Sequence, residues 1–287
     1  MQYHFQALVS RVFISAALGV AAFSAQAAVV VAQPAFTITF DFAGGGLTAP
    51  QQSYFNTAAN FWESVITGYK PGVNLNGVTI GASAVSIDGV GGILGSAGPS
   101  SITAPLLGTR YATAGSMQFD SDDISAMTSN GSFGDVIRHE IAHVIGFGTL
   151  WVINNLYDNG TGKFTGANAL AAYKTEFNQA SATFVPVELG GGAGTANGHW
   201  NEVDNGSANT GITTAQGRDM RFELMTGWLN RTANDPAFVS QMTARQFEDL
   251  GYTVNVSAVP EPASAAMLLA GMALLAGVVS KRRRAAV

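Results

Sequence analysis

Cysteine is absent from the 287-residue chain, which excludes thiol catalysis, cysteine-ligated metals and a disulfide framework. Charged residues are also scarce, because they make up 11% of the sequence against 47% hydrophobic residues. The formal net charge of −5 at pH 7 offers no basic face to phosphates, so we predict that the protein binds no nucleic acid. This apolar, glycine-rich composition excludes a disordered chain and favours an extracellular α+β domain with long loops.

The first 27 residues have the pattern of a signal peptide. Arg11 supplies positive charge, the stretch 12–23 is apolar, and Ala25-Gln26-Ala27 forms a small-x-small cleavage site. A buried N-terminal helix is the alternative interpretation. We predict that residues 1–27 are removed during export and that residues 28–258 form the folded domain.

Residues 259–287 contain a second targeting pattern. Pro260-Glu261-Pro262 precedes an apolar run over 263–279, and the basic stretch 281–284 follows. The run approaches the length of a membrane span and the basic end favours the cytoplasm, so we predict a transmembrane segment that engages the inner membrane transiently.

The order of these three parts resembles the PEP-CTERM sorting signal of Gram-negative bacteria that make extracellular polysaccharide. The resemblance implies that an exosortase-type processing enzyme recognises and removes the signal. A plain tail anchor is the alternative. Both interpretations place the body of the protein outside the inner membrane, at the cell surface, in the extracellular matrix or secreted.

Strand and helix patterns predict an α+β fold. Alternating apolar and polar residues predict a strand over 36–42, and helical spacing predicts a helix over 51–67. Further predicted elements are strands at 78–80 and 84–87, a surface loop over 88–109, a short edge strand over 116–120 and a closing helix over 235–250.

The motif His139-Glu140-Ile141-Ala142-His143 lies on a further predicted helix. Ser132 is its predicted N-cap, with Asp135 as a capping-box-like partner. Two histidines four residues apart reach one metal ion from the same side of a helix. Glu140 lies beside them, where it can act as the general base. The alternative is a helix whose two histidines are satisfied by solvent or by core contacts.

Catalytic zinc usually has three protein ligands, and the chain offers few residues for the third. The metzincin spacing places a histidine at position 149, where this sequence has Thr149. Of the four histidines, His4 is lost with the signal peptide, so His199 is the predicted third ligand. A carboxylate is the alternative third ligand, and the candidates are Glu176, Glu188 and Glu202.

The order of these motifs resembles leishmanolysin-type metzincins. The residues that carry the resemblance are His139, Glu140, His143, Gly146 and Phe147, then His199-Trp200, then the segment 221–227. The resemblance implies a zincin-like α+β fold with a twisted mixed sheet, an active-site helix and a less regular C-terminal subdomain. It also implies that Met225 forms an apolar turn beneath the metal without ligating it. Leishmanolysins are usually rich in cysteine, so their disulfides have no counterpart here.

These expectations lead to a secreted zinc-dependent endopeptidase as the predicted function. His139, His143 and His199 are expected to bind Zn²⁺, and Glu140 is expected to be the catalytic base for hydrolysis of a protein or peptide substrate. One alternative is a catalytically inactive zincin-like protein that binds partners at the surface or in the matrix. Another is a zinc hydrolase that acts on a different bond.

Three aspartates near the end of the predicted edge strand form a second candidate metal site. Clustered oxygen ligands at Asp120, Asp122 and Asp123 suit Ca²⁺. Their spacing differs from that of an EF-hand, and a solvated turn is the alternative.

Overall fold

The computed structural model describes residues 34–231 and 237–259. The predicted signal peptide lies outside these ranges, as does the predicted transmembrane run at 263–279. Among the residues that are described, no helix is both long enough and apolar enough to cross a membrane.

The described chain is rich in strands and helices up to residue 145 and is less regular afterwards. The strands are β1 (Thr37–Asp41), β2 (Ile66–Tyr69), β3 (Gly77–Val85), β4 (Gly95–Ile102), β5 (Ala112–Asp120), β6 (Lys163–Phe164), β7 (Val185–Pro186) and β8 (Tyr252–Val254). The helices are α1 (Ala49–Val65), α2 (Ile124–Asn130), α3 (Phe133–Ile145), α4 (Ala167–Glu176) and α5 (Gln241–Asp249).

The main sheet has the strand order β1-β3-β5-β4. Strands β1, β3 and β5 are parallel, and β4 pairs antiparallel with β5. The predicted α+β class with a mixed sheet is therefore confirmed. Two small two-stranded sheets, β2-β8 and β6-β7, complete the described strand pairing.

Two predictions for this sheet are wrong. The segment 88–109 was expected to be a surface loop, yet β4 lies within it and forms the edge of the sheet beside β5. The glycine, serine and proline residues of β4 hide the apolar alternation that marks a strand. Pro99, which lacks an N–H, is tolerated because β4 is an edge strand and one of its sides needs no hydrogen-bond donors. Consequently β5, predicted as a short edge strand, is nine residues long and lies inside the sheet.

Helix α3 packs its apolar face onto the sheet. Ile137, Ile141 and Val144 are fully buried, as helical spacing requires of a face turned to the core. Gly115 on β5 makes the contact close, since a Cβ atom there would lie 2.3 Å from Cγ1 of Val144. The opposite face of α3 is thereby fixed toward the C-terminal half of the chain.

The predicted capping box of α3 is not formed. Ser132 has helical dihedral angles, and its side chain makes no cap hydrogen bond. The reason is the tight connection from α2, in which the Ser132 N–H donates to Oδ1 of Asn130 at 2.8 Å. Asp135 pairs instead with Arg138 and Arg231.

Helices α4 and α5 cap each other. Asp249, the last residue of α5, accepts the N–H groups of Asn168 and Ala169 at 2.9 and 3.0 Å. Glu176, the last residue of α4, accepts the N–H groups at the start of α5, those of Gln241 and Met242, at 3.1 and 3.0 Å. The closing helix is thus confirmed over 241–249. Its predicted start was too early, because residues 237–240 are not helical and Phe238 pairs with Glu223 in an isolated bridge; residues 235–236 lie outside the described residues.

We predict that Asp249→Ala lowers the free energy of unfolding by about 1–2 kcal/mol, because two N–H groups of α4 lose their acceptor. Chemical denaturation of the purified protein measures this loss. Glu248→Ala is the matched control, since the Glu248 side chain pairs, within the described part of the chain, with Arg245 on the partly exposed side of α5. It should cost less than about 0.5 kcal/mol. Equal losses in the two variants would show that the cap does not stabilise the fold.

Candidate metal centre

Three imidazole rings converge at the end of α3. The Nε2 atom of His139 lies 2.9 Å from Nε2 of His143 and 3.0 Å from Nε2 of His199, and the last two are also 3.0 Å apart. His139 stacks on His199 with ring planes 17° apart, while His143 stands edge-on to both. The three predicted ligands therefore form a cluster that can hold a metal ion.

Each ring is oriented by a backbone carbonyl at its other nitrogen. Nδ1 of His139 lies 2.7 Å from the oxygen of Leu224. The corresponding acceptors for His143 and His199 are the carbonyl oxygens of Phe147, at 2.9 Å, and Thr195, at 2.8 Å. Since a carbonyl only accepts, each Nδ1 carries the proton and each Nε2 presents a lone pair. Such outer partners set both ring orientation and ligand basicity in metal sites.

This donor set fits a zinc ion. Four tetrahedral ligands at about 2.0–2.1 Å from zinc lie about 3.3 Å apart, close to the observed nitrogen separations. Three neutral imidazoles would leave one position of a tetrahedral ion open.

Burial keeps these rings neutral. It lowers the pKa of His139 to about 4, and burial together with neighbouring His139 lowers the pKa of His199 to about 3. The pKa of His143 is also well below its usual value, first because of burial and then because of the two other imidazoles. A neutral ring at physiological pH is the form that ligates a metal.

Glu140 lies beside the cluster as a buried carboxyl group, 5% exposed. No donor among the described residues hydrogen-bonds to its side chain. Burial raises its pKa to about 8, and a cation held by the neighbouring histidines would lower that pKa again because it favours the carboxylate. Glu140 is therefore available for proton transfer and has no visible structural partner.

The loop that delivers His199 is fixed by close backbone contact with the turn after α3. Gly148 has a φ of +70°, and a Cβ atom there would lie 2.4 Å from the carbonyl oxygen of Gly198. The neighbouring Asn197 accepts the Tyr157 hydroxyl and the Gly160 N–H through its Oδ1. These contacts bring a residue 56 positions away from His143 to the helix.

Met225 is fully buried next to the cluster. The carbonyl of the preceding residue, Leu224, accepts from the His139 ring. The carbonyl of Met225 itself accepts the N–H of Trp200, the residue after His199, at 3.0 Å. The backbone of Met225 therefore contacts the residue that follows His199, and its role as an apolar turn beneath a metal stays a prediction.

The alternative carboxylate ligands lie elsewhere. Glu176 accepts from the first turn of α5. Glu188 accepts the N–H groups of Gly190 and Glu202, and Glu202 accepts the N–H of Trp228. Burial raises the pKa of Glu202 to about 7. In the described ranges, only the three histidines form a metal-binding group of three or more such side chains.

Two of the three aspartates, Asp120 and Asp123, hold the backbone of a loop in this fold. Oδ2 of Asp120 accepts the N–H groups of Ile87, Asp88 and Gly89, and hydrogen bonds from the backbone lower its pKa. Asp123 accepts the N–H of Gly91. A carboxylate surrounded by donors anchors the loop before β4, and the calcium site stays an untested prediction.

Sequence patterns do not reveal the acceptors that orient the rings. Backbone carbonyls carry no residue signature, and those of Leu224 and Thr195 reach the site only through the tertiary fold. Glu223 stands next to Leu224 in the Glu-Leu-Met segment, and its place beside the predicted Met225 turn is the only sequence signal for it.

Comparison with known families identifies one segment. Residues 258–284 match the PEP-CTERM protein-sorting motif, which confirms the predicted sorting signal. Such signals direct export to the surface or exterior of Gram-negative bacteria and are recognised by an exosortase-type enzyme. No curated protein sequence matches the chain significantly.

We predict that the purified protein binds one zinc ion and that His199→Ala weakens binding by more than 100-fold, since a ligand loss exceeds the roughly 10–100-fold effect of losing an outer partner. Competition with a chromogenic chelator measures the affinity. Zinc at a hundredfold excess over Kd should also stabilise the fold by about 2.7 kcal/mol.

Glu202→Gln is the control for this measurement. It changes a buried carboxylate in the same loop region, one that accepts the N–H of Trp228, and it leaves the three imidazole rings intact. Unchanged zinc binding in His199→Ala together with loss in Glu202→Gln would favour a carboxylate as the third ligand.

Proposed function

We propose that the protein is an exported zinc-dependent endopeptidase of the leishmanolysin-like metzincin type. The observation that carries the proposal is the convergence of three Nε2 lone pairs, within 3.0 Å of one another, beside a buried glutamate without a hydrogen-bond donor. A structural metal site has no need of such a base.

Bound zinc supplies Lewis acidity, which lowers the pKa of a water molecule toward neutrality and polarises a carbonyl group. The residues of the chain supply the rest. His139, His143 and His199 would hold the ion through Nε2, with their Nδ1 protons donated to backbone carbonyls. The Glu140 carboxylate accepts the proton of the attacking water and then donates it to the leaving amine.

The edge of the main sheet supports a peptide as the substrate. Gly95 of β4 approaches Glu140 so closely that a Cβ atom there would lie 3.1 Å from its Oε1. In the described sheet β4 pairs with β5 on one side only. An extended chain that added to its free edge would bind by main-chain hydrogen bonds and run past Glu140. This geometry favours peptide-bond hydrolysis over a different hydrolytic reaction.

Hydrolysis of unfolded casein by the purified full-length chain tests the proposal. We expect cleavage that requires zinc and that Glu140→Gln reduces by about 10²–10⁴-fold, the usual contribution of a general base. Glutamine fills the same buried space, so zinc affinity should stay near the wild-type value. Folded, zinc-bound wild-type protein that cleaves no peptide would favour the alternative of an inactive surface or matrix binding protein.

The spacing between β4 and Glu140 leads to a further prediction. Gly95→Ala should lower kcat/KM by about tenfold, because the methyl group displaces the base and small displacements at a reacting centre cost rate steeply. Gly98→Ala on the same strand is the matched control, since a Cβ atom there meets only Cγ2 of Thr149, at 3.9 Å. Steady-state kinetics of the two variants check this. Equal activities would show that Gly95 does not position Glu140.

A further inference from the structure

Glu223 is a buried carboxylate, 2% exposed. It is the acceptor in each of the hydrogen bonds that follow. Its Oε2 accepts the N–H of Met225 at 2.6 Å. Its Oε1 accepts the N–H and the hydroxyl of Ser240 at 3.0 and 2.9 Å, and the hydroxyl of Thr243 at 2.5 Å. Four donors and the positive end of the α5 dipole favour the ionised form, although burial raises its pKa.

The first branch from this carboxylate leads to His139 through a single peptide group. The N–H of Met225 and the carbonyl of Leu224 belong to the same amide. That amide donates to Glu223 on one side and accepts Nδ1–H of His139 on the other, at 2.7 Å. Hydrogen bonds in such a chain polarise one another, so the carboxylate strengthens the carbonyl as an acceptor and makes Nε2 of His139 a better metal ligand.

The second branch leads to the residue next to His199. The Thr243 hydroxyl that donates to Glu223 accepts Nε1–H of Trp200 at 2.8 Å. The N–H of Trp200 in turn donates to the carbonyl of Met225 at 3.0 Å. One carboxylate therefore fixes both the acceptor of the first histidine and the backbone that carries the third.

We propose that Glu223 is a positioning residue for the metal centre, acting through a carboxylate–peptide–imidazole relay to His139 and a hydroxyl relay to Trp200. The proposal rests on the metal binding that the proposed function requires and is independent of peptide hydrolysis. Glutamine at this position would place an NH₂ group, which donates, against partners that also donate. At least one of the two relays would then lose its hydrogen bond.

The test compares Glu223→Gln with Glu176→Gln in the full chain. Both glutamates accept from the first turn of α5, but Glu176 accepts from Gln241 and Met242, outside either relay. We expect both variants to unfold at lower temperature. Only Glu223→Gln should weaken zinc binding, by about 10–100-fold, the usual effect of removing an outer partner of a ligand. Equal zinc affinities in the two variants would overturn the proposal.

A spectroscopic measurement separates the relay from general loosening. In the zinc-loaded protein, the Nδ1 proton of His139 should give a strongly hydrogen-bonded imidazole resonance that moves upfield in Glu223→Gln. His143 is the internal control, because it donates to the carbonyl of Phe147, which the relay does not include. A His139 resonance that stays in place, or one that moves together with that of His143, would contradict the relay.

Thr243→Val provides a second variant if Glu223→Gln fails to fold. It keeps the Ser240 and Met225 contacts of Glu223 and removes the hydroxyl, and we expect about tenfold weaker zinc binding. Wild-type affinity in folded Thr243→Val would overturn the relay to Trp200. Absence of zinc binding by the wild-type protein would overturn this proposal and the proposed function together. Zinc binding with the expected losses but without peptide hydrolysis would overturn only the proposed function.

Discussion

The hydrogen bond from each imidazole Nδ1–H to a backbone carbonyl is the interaction on which the candidate metal centre depends. Three rings can aim lone pairs at one point only if each has a fixed acceptor for its other proton. Those acceptors come from three separate places: the turn after α3, the loop before His199 and the segment at Leu224. The site therefore constrains the irregular C-terminal half through backbone carbonyls as well as through the His199 side chain.

The surrounding elements serve this constraint in different ways. The sheet fixes α3 through a contact so close that Gly115 cannot carry a side chain without displacing Val144. Helix α5, held by Glu176 of α4, presents Ser240 and Thr243 to Glu223. Packing of α3 on the sheet thus determines where the His139 and His143 rings lie. A buried polar network determines the position of the backbone that carries His199. Networks of this kind specify one arrangement only when every member is satisfied.

The sequence predicted those parts whose signal is local. The helical spacing of His139 and His143, and the apolar face opposite them, are visible within one helix, and the class of the fold follows from strand and helix periodicity. The choice of His199 came from counting the available histidines. Strand β4 was missed because its glycine- and serine-rich residues resemble a loop. The relay from Glu223 was missed because it joins residues whose proximity arises only in the folded chain.

The two buried glutamates of this region, Glu140 and Glu223, differ in the number of hydrogen-bond donors around them. Glu223 has four donors, so its burial is compensated by hydrogen bonds. Glu140 has no donor among the described residues, its carboxyl oxygens keep some access to water, and burial of the residue raises its pKa to about 8. Conflicts between local stability and position are expected at functional sites. Under the proposed function, a cation at the three histidines would favour the Glu140 carboxylate and a water molecule would give it a proton to accept, whereas a binding surface would be equally well served by a neutral side chain at position 140.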